Sequence, residues 1–228
     1  MEAAVRAVID AWNARDAPAL LARVTDAYVI DELEFPTRQE AEQGLPQVIG
    51  QEPLTLGGLA STEVSDASAS TEGTLFLGTS GTPQRFRLIR DHGVWKVDAS
   101  EQRTGPIPSG VTAVDLVLTE YTFHFDERAI TSGGLAFNVV NNGEVQHEVR
   151  LANVPEGLDL EEAARAEEEP AGVEPLGGTL GPVDPGAGTT ILFIEPLGPG
   201  RYAMFCFVET ADGTPHAELG MIAEFTVE

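Results

Sequence analysis

Residues 102–110, QRTGPIPSG, put two prolines and two glycines into nine positions, and the hydrophobic pattern differs on their two sides. Proline fixes φ and removes a backbone donor, while glycine opens positive φ, so so dense a stretch of both continues neither a helix nor a sheet. Before it the chain reads first as helix and then as strand. After it, apolar residues alternate in short strand-like runs. A chain divided in this way must build two different kinds of core, and 228 residues suffice for two domains of ordinary size. We therefore expect domains over residues 1–103 and 111–228, joined by a linker at 104–110.

In the first half Val5, Val8, Ile9 and Trp12 recur at helical spacing. Asp16 is placed to cap a second helix, with Pro18 in its first turn and Leu20, Leu21 and Val24 on its apolar face. The pattern predicts a third helix over residues 38–49, then strands over 73–78, 84–90 and 94–99, with Asp91-His92-Gly93 as the hairpin turn between the last two. Helices followed by an antiparallel sheet make an α+β layout. The order of AVRAVIDAWNARDAPALLARVTD and RFRLIRDHGVWKVDA resembles the NTF2-like, or SnoaL-like, family of cone-shaped α+β domains. That resemblance implies an apolar pocket, homodimerisation through this domain, and Tyr28, Asp31 and Glu32 as polar groups near the pocket's place. The same three residues form no motif, and they read more readily as solvated loop positions.

The second half predicts seven strands, over residues 114–118, 121–125, 135–141, 147–151, 189–194, 201–207 and 222–227, and hence an all-β sandwich or barrel. Leu158–Glu169, LDLEEAARAEEE, reads as an acidic helical excursion between strands.

Charge narrows the partners. The chain carries 37 acidic and 13 basic side chains, net −24, which excludes nucleic acid, whose phosphates need Lys and Arg. Residues 1–104 hold 16 acidic and 9 basic groups, and residues 105–228 hold 21 and 4, so the second half carries most of the field. Such a surface can steer a basic partner, or it can simply keep the protein soluble. No run of about 18 apolar residues is present to span a membrane. One cysteine excludes an internal disulfide.

That cysteine lies in CFVETADGTPHAELGM, residues 206–221, together with His216 and Met221. His147 heads a predicted strand upstream. Taken singly, each has an ordinary reading: an inert buried thiol, a loop imidazole, a strand imidazole satisfied by a carbonyl, a core thioether. Together, two imidazoles, one thiolate and one thioether form the ligand inventory of a mononuclear electron-transfer copper site. Zinc also takes Cys and His, but methionine is not among its structural ligands. Met204 shares a strand face with Cys206 and reads as core. His92 and His124 read as structural or exposed.

The stretches AFNVVNNGEVQHEVRL, PGRYAMFCF and HAELGM followed by IAEFTV resemble the cupredoxins, the family of plastocyanin and azurin. The resemblance implies a Greek-key sandwich, His147, Cys206 and His216 as equatorial ligands of one type 1 copper, Met221 as the axial ligand, an electron leaving through an exposed edge of His216, and work outside the cytoplasm with an export or anchoring segment not in this chain. Two features depart from the family. Nine residues separate Cys206 from His216, a longer loop than in the small relatives, and Glu148 stands where relatives place Asn or Ser. Strand alternation after an inward His147 points Glu148 outward. Four histidines are too few for the added copper cluster of a multicopper oxidase. The reading is thus a one-electron carrier rather than a catalyst. Two alternatives remain: a non-redox copper-sequestering protein, and a small-molecule enzyme of the first half with an accessory β domain.

Overall fold

A computed structural model describes every residue except 51, 167 and 169, and shows a mixed fold of short helices and a large amount of sheet. Its contacts divide the chain into two compact units: Met1–Leu77 with Pro83–Gln102, and Gly78–Thr82 with Arg103–Glu228.

The first unit opens with α1 (Glu2–Asn13), α2 (Ala17–Leu21), α3 (Asp26–Asp31) and α4 (Arg38–Val48). Each of the last three starts on a side chain that accepts from an otherwise unpaired N–H of the first turn: Asp16 from Ala19, Thr25 from Tyr28, Thr37 from Glu40. Strands β1 (Leu54–Val64), β2 (Ser68–Leu77), β3 (Ser80–Asp91) and β4 (Val94–Gln102) follow in spatial order β1-β2-β3-β4, β3 belonging to this unit from Pro83 onward. The β3–β4 turn has φ of 48° at His92 and 84° at Gly93, as a two-residue hairpin turn requires. Val5, Val8, Leu20, Leu21, Val24, Val29 and Leu45 from the helical side bury against Phe86, Leu88 and Val97 of the sheet. Each such fully buried side chain contributes about 1.5–3 kcal/mol. Helix α3 and strand β1 are not among the elements expected from the sequence, and β2 starts five residues before the strand expected at 73–78.

In the second unit, β5 (Thr112–Thr119), β6 (Thr122–His124), β7 (Leu135–Asn141) and β10 (Gly188–Phe193) form one layer. Strands β5 and β7 run parallel, while β6 on β5 and β10 on β7 are antiparallel. Ser80 and Gly81 extend this layer opposite Phe193 and Leu192. A second sheet has the order β12-β11-β8-β9, with β8 (Arg150–Val154), β9 (Glu174–Gly178), β11 (Gly200–Phe205) and β12 (Ile222–Val227) all antiparallel to their neighbours. On β5 every second residue, Val114, Leu116 and Leu118, is buried, the period of a strand with one face inward. These meet Phe137, Val139 and Ile191 from their own layer and Leu151, Met204 and Phe225 from the other. Phe225 anchors the middle, stacked on Tyr202 and edge-on to Phe125 and Phe137.

The expected helix over 158–169 shortens to α5 (Leu160–Ala164), and its positions 167 and 169 lie outside the described residues. Ala164 packs in a smaller cluster with Ala152, Val154, Ala203, Phe205 and Ala217. The strand expected at 147–151 begins instead at Arg150.

Candidate metal centre

Two ends of the second unit's sheet and one loop bring the candidate ligands together. His147 is held by a single bridge to Val183, whose N–H donates to the His147 carbonyl at 2.7 Å while the His147 N–H donates back at 3.3 Å. The loop before it is tied by Asn141, fully buried, whose Nδ2 donates to the carbonyls of Val145 and Val183 at 2.8 Å each and whose Oδ1 accepts from Gly143 N–H at 2.9 Å. Cys206 follows directly on β11. Its N–H donates to Met221 O at 3.3 Å, and its carbonyl accepts from Ala217 N–H at 2.7 Å.

The nine residues between Cys206 and His216 do not loosen the site. Thr210 closes them on themselves: its hydroxyl accepts from Thr214 N–H at 3.1 Å and bonds the Asp212 carboxylate, and its own N–H reaches Thr214 O at 2.9 Å. Beneath this closed excursion His216 N–H donates to Val208 O at 2.9 Å. His216 thus returns two residues' distance from the cysteine, as though the intervening loop were short.

The side chains converge. His147 Nδ1 and His216 Nδ1 lie 3.1 Å apart, and Cys206 Sγ is 3.5 Å from the latter and 4.0 Å from the former. A point equidistant from the corners of such a triangle lies roughly 2.1 Å from each, close to ordinary metal–nitrogen and metal–sulfur bond lengths. All three residues are buried, and among the described residues they are the one group of three or more His, Cys, Asp or Glu side chains arranged to share an ion. His147 Nε2 is buried without a hydrogen-bond partner. Burying polar nitrogens and a thiol against each other is costly unless something gains from it, and a metal ion drawing on both Nδ1 atoms and the sulfur fits that donor set.

Met221 is fully buried in the same apolar core as Cys206. Its backbone is fixed to both neighbours, the N–H donating to His216 O at 3.0 Å and the carbonyl accepting from Cys206. Met204 is core, as its strand face requires. His92 stands in an exposed turn, and His124 Nε2 pairs with Thr119 Oγ1 at 2.8 Å.

The local electrostatics favour neutral ligands before a metal arrives. Burial pushes the Cys206 thiol up to about 11, against the pull of the Glu148 and Val208 N–H groups. His147 is lowered first by burial and then by His216, with Glu120 opposing. His216 is lowered by burial, with Glu148 opposing.

Two expectations need correction. Glu148 does not face solvent: it is 6% exposed, and its Oε1 accepts from Phe207 N–H at 3.1 Å while Oε2 takes Arg150 Nε at 3.0 Å. Alternation fails there because β8 starts only at Arg150, so His147 and Glu148 sit on irregular backbone and both turn inward. The Glu148 N–H also donates to Cys206 Sγ at 3.3 Å. Neither ligand imidazole has an open edge, since His147 is fully buried, His216 is 2% exposed and the Tyr121 and His216 rings meet in a T-shape at 5.0 Å.

In the first unit, Tyr28 and Asp31 lie on α3 rather than in a loop, and Glu32 caps its C-terminal end. Ser100 N–H and Oγ donate to the two Glu32 oxygens at 3.2 and 2.7 Å. Burial, then Glu32, pushes Tyr28 up to about 12, with Ser100 pulling the other way. These contacts fasten α3 to β4. Asp31 is exposed.

No protein-family model matches the sequence, and no curated protein is similar to it. Among solved structures, a dithionite-reduced auracyanin from Roseiflexus castenholzii is 20% identical, with a TM-score of 0.38, over 53% of this chain and 99% of the auracyanin. An NTF2-like protein of unknown function from Pseudomonas putida KT2440 is 16% identical, with a TM-score of 0.35, over 46% of this chain and 84% of its own. A multicopper oxidase from Campylobacter jejuni, described as a metallo-oxidase, is 11% identical with a TM-score of 0.31, covering 76% of this chain and 48% of the oxidase. At these identities and TM-scores the likenesses carry no argument about the site, which stands on its own geometry. The chain is similar in part to auracyanin, a cupredoxin, and in part to NTF2-like proteins.

Proposed function

We propose that the second unit is a Greek-key cupredoxin-like domain holding one type 1 copper ion, and that the protein carries single electrons. The observation that carries this reading is the convergence of Cys206 Sγ and the two Nδ1 atoms of His147 and His216 on one point. Bound there, copper supplies a Cu(I)/Cu(II) couple, for which two imidazoles and one thiolate are a suitable set. Met221, on the loop that carries His216, is the proposed axial ligand.

The chain's own part is to hold the donors still. Cys206 gives up its proton on metal binding. The Glu148 N–H on its sulfur then meets a charged acceptor and strengthens. Glu148 places a carboxylate beside the sulfur, and Arg150 compensates that charge. The bridge to Val183 and the tie between His216 and Val208 hold the backbone of both histidines in place.

The first unit is proposed as an NTF2-like module that dimerises or receives a partner. The negative field of the second steers a basic redox partner outside the cytoplasm. Burial of both rings favours one competing reading, a sequestering protein that binds copper without cycling it. The test is optical. Adding Cu(II) to the metal-free protein with its thiol reduced is expected to produce an intense visible thiolate-to-copper band that Cys206→Ala abolishes. A colourless wild-type complex would reject the proposal, and a coloured complex without reversible voltammetry would favour sequestration.

A further inference from the structure

The β5–β6 turn contributes two consecutive residues to the outer side of the centre. Tyr121 has a φ of 57°, an uncommon conformation for a bulky side chain, and presents its ring edge to His216. Glu120, exposed on the same turn, accepts from Glu144 N–H and so ties the turn to the loop that leads into His147.

Glycine 143 shows how closely these parts meet. A Cβ added there would lie 2.5 Å from Glu120 Oε1, 3.0 Å from His147 Nε2 and 3.2 Å from Asn141 Oδ1. Three polar atoms therefore crowd the bare face of one glycine whose φ is not positive. The absence of a side chain is needed for space, not for backbone freedom. Asn141 Oδ1 already accepts from Gly143 N–H. His147 Nε2 is the atom without a partner, and Glu120 supplies the carboxylate beside it.

A ring that binds metal through one nitrogen needs its proton on the other, and an outer acceptor usually fixes that choice. We infer that Glu120 is the positioning residue of His147, holding Nε2–H through one water on the side-chain-free face of Gly143, so that Nδ1 faces His216 and Cys206 as a free donor. This rests on the metal-centre reading above, and it adds an outer carboxylate from a turn remote in sequence from every ligand.

The test begins with the metal-free protein, where long-range 1H–15N spectra report which His147 nitrogen carries the proton. The wild type is expected to show Nε2–H. Glu120→Ala is expected to give mixed tautomers and to weaken Cu(II) binding, measured by chelator competition, by roughly 10-fold or more. Glu120→Gln keeps an oxygen acceptor and is expected to retain the wild-type tautomer. Gly143→Ala puts a methyl group on that bare face and is expected to reproduce Glu120→Ala, with thermal unfolding confirming that both variants fold. A wild type protonated at Nδ1, or a Glu120→Ala protein with unchanged tautomer and unchanged Cu(II) affinity, would overturn the inference. The tautomer is read without metal, so failure of the wild type to take up copper would count against the proposed function while leaving the role of Glu120 decided by the spectra.

Discussion

The two units bury chemically capable side chains in opposite ways. In the first, Tyr28, Glu32 and Ser100 satisfy one another, Thr25 Oγ1 donates to Asp98 at 2.9 Å, and Arg87 pairs the other Asp98 oxygen at 2.9 Å. Thr71 Oγ1 and Gln84 Nε2 are also buried there without a partner, yet neither belongs to a group of metal-ligating side chains. In the second unit two ring nitrogens and a thiol face one another, and the outer nitrogen of one ring is left over. Satisfied polar groups join elements of a fold. Lone pairs that converge on one point describe a place for a cation.

The contrast breaks most directly in the cores. Phe225→Ala in the second unit and Leu88→Ala in the first are each expected to cost about 2–5 kcal/mol, as large-to-small core changes do. Only the former should also lower Cu(II) affinity, because Phe225 packs in the cluster that contains Cys206 and Met221. Denaturant unfolding followed by metal titration checks this, and equal metal losses in both variants would contradict it.

Alkaline unfolding sharpens the comparison next. The Cys206 thiol is raised from 9.0 to about 11, so between those values the unfolded chain has lost a proton that the folded one keeps, and stability falls as pH rises. The loss is on the order of 2–3 kcal/mol for a shift of this size. Copper loading removes that proton in advance and should abolish the slope. Tyr28, raised from 10.0 to about 12, gives the first unit a slope of the same sign that copper leaves in place. On the acid side both ligand histidines are held below 6.5. The unfolded chain then binds protons first, and metal-free stability should fall as pH drops through that value. Thermal melts from pH 5 to 12, with and without copper, read all three.

Smaller effects separate charge from scaffold. Glu148→Gln removes the carboxylate next to the sulfur while keeping an acceptor for Phe207 N–H. The reduction potential should rise by up to ~59 mV, one decade in a one-electron equilibrium, as voltammetry would show. The smallest change belongs to Thr210→Ala, expected to cost roughly 1 kcal/mol for its lost hydrogen bonds and to leave the visible spectrum unaltered, since the tie between His216 and Val208 lies below the excursion it closes.

Much of this was readable in the chain because period and chemistry coincide. The apolar spacing of α1 and the alternation of β5 and β12 state their own structure, and a cysteine after an aromatic strand with His and Met beyond it names a ligand set. What stayed hidden depends on partners. Strand β1, LTLGGLASTEV, has two glycines and two register shifts against β2, so no alternation survives to be read. The residues EPLGG of β9 are strand only because β8 pairs with them. Helix α3 is six residues long, too short for a period to show. Glu148 departs from alternation because it lies on backbone that is not yet strand. Glu120, a charged residue in an exposed turn, carries no local signal, and only the approach to Gly143 reveals its neighbour.

X-ray absorption at the copper edge of the loaded wild-type protein tests the shared ligand point most directly. One short sulfur and two imidazole nitrogens around the metal are the expected first coordination sphere. A sphere of nitrogen and oxygen alone, with Cys206 free to react with a thiol reagent, would contradict it.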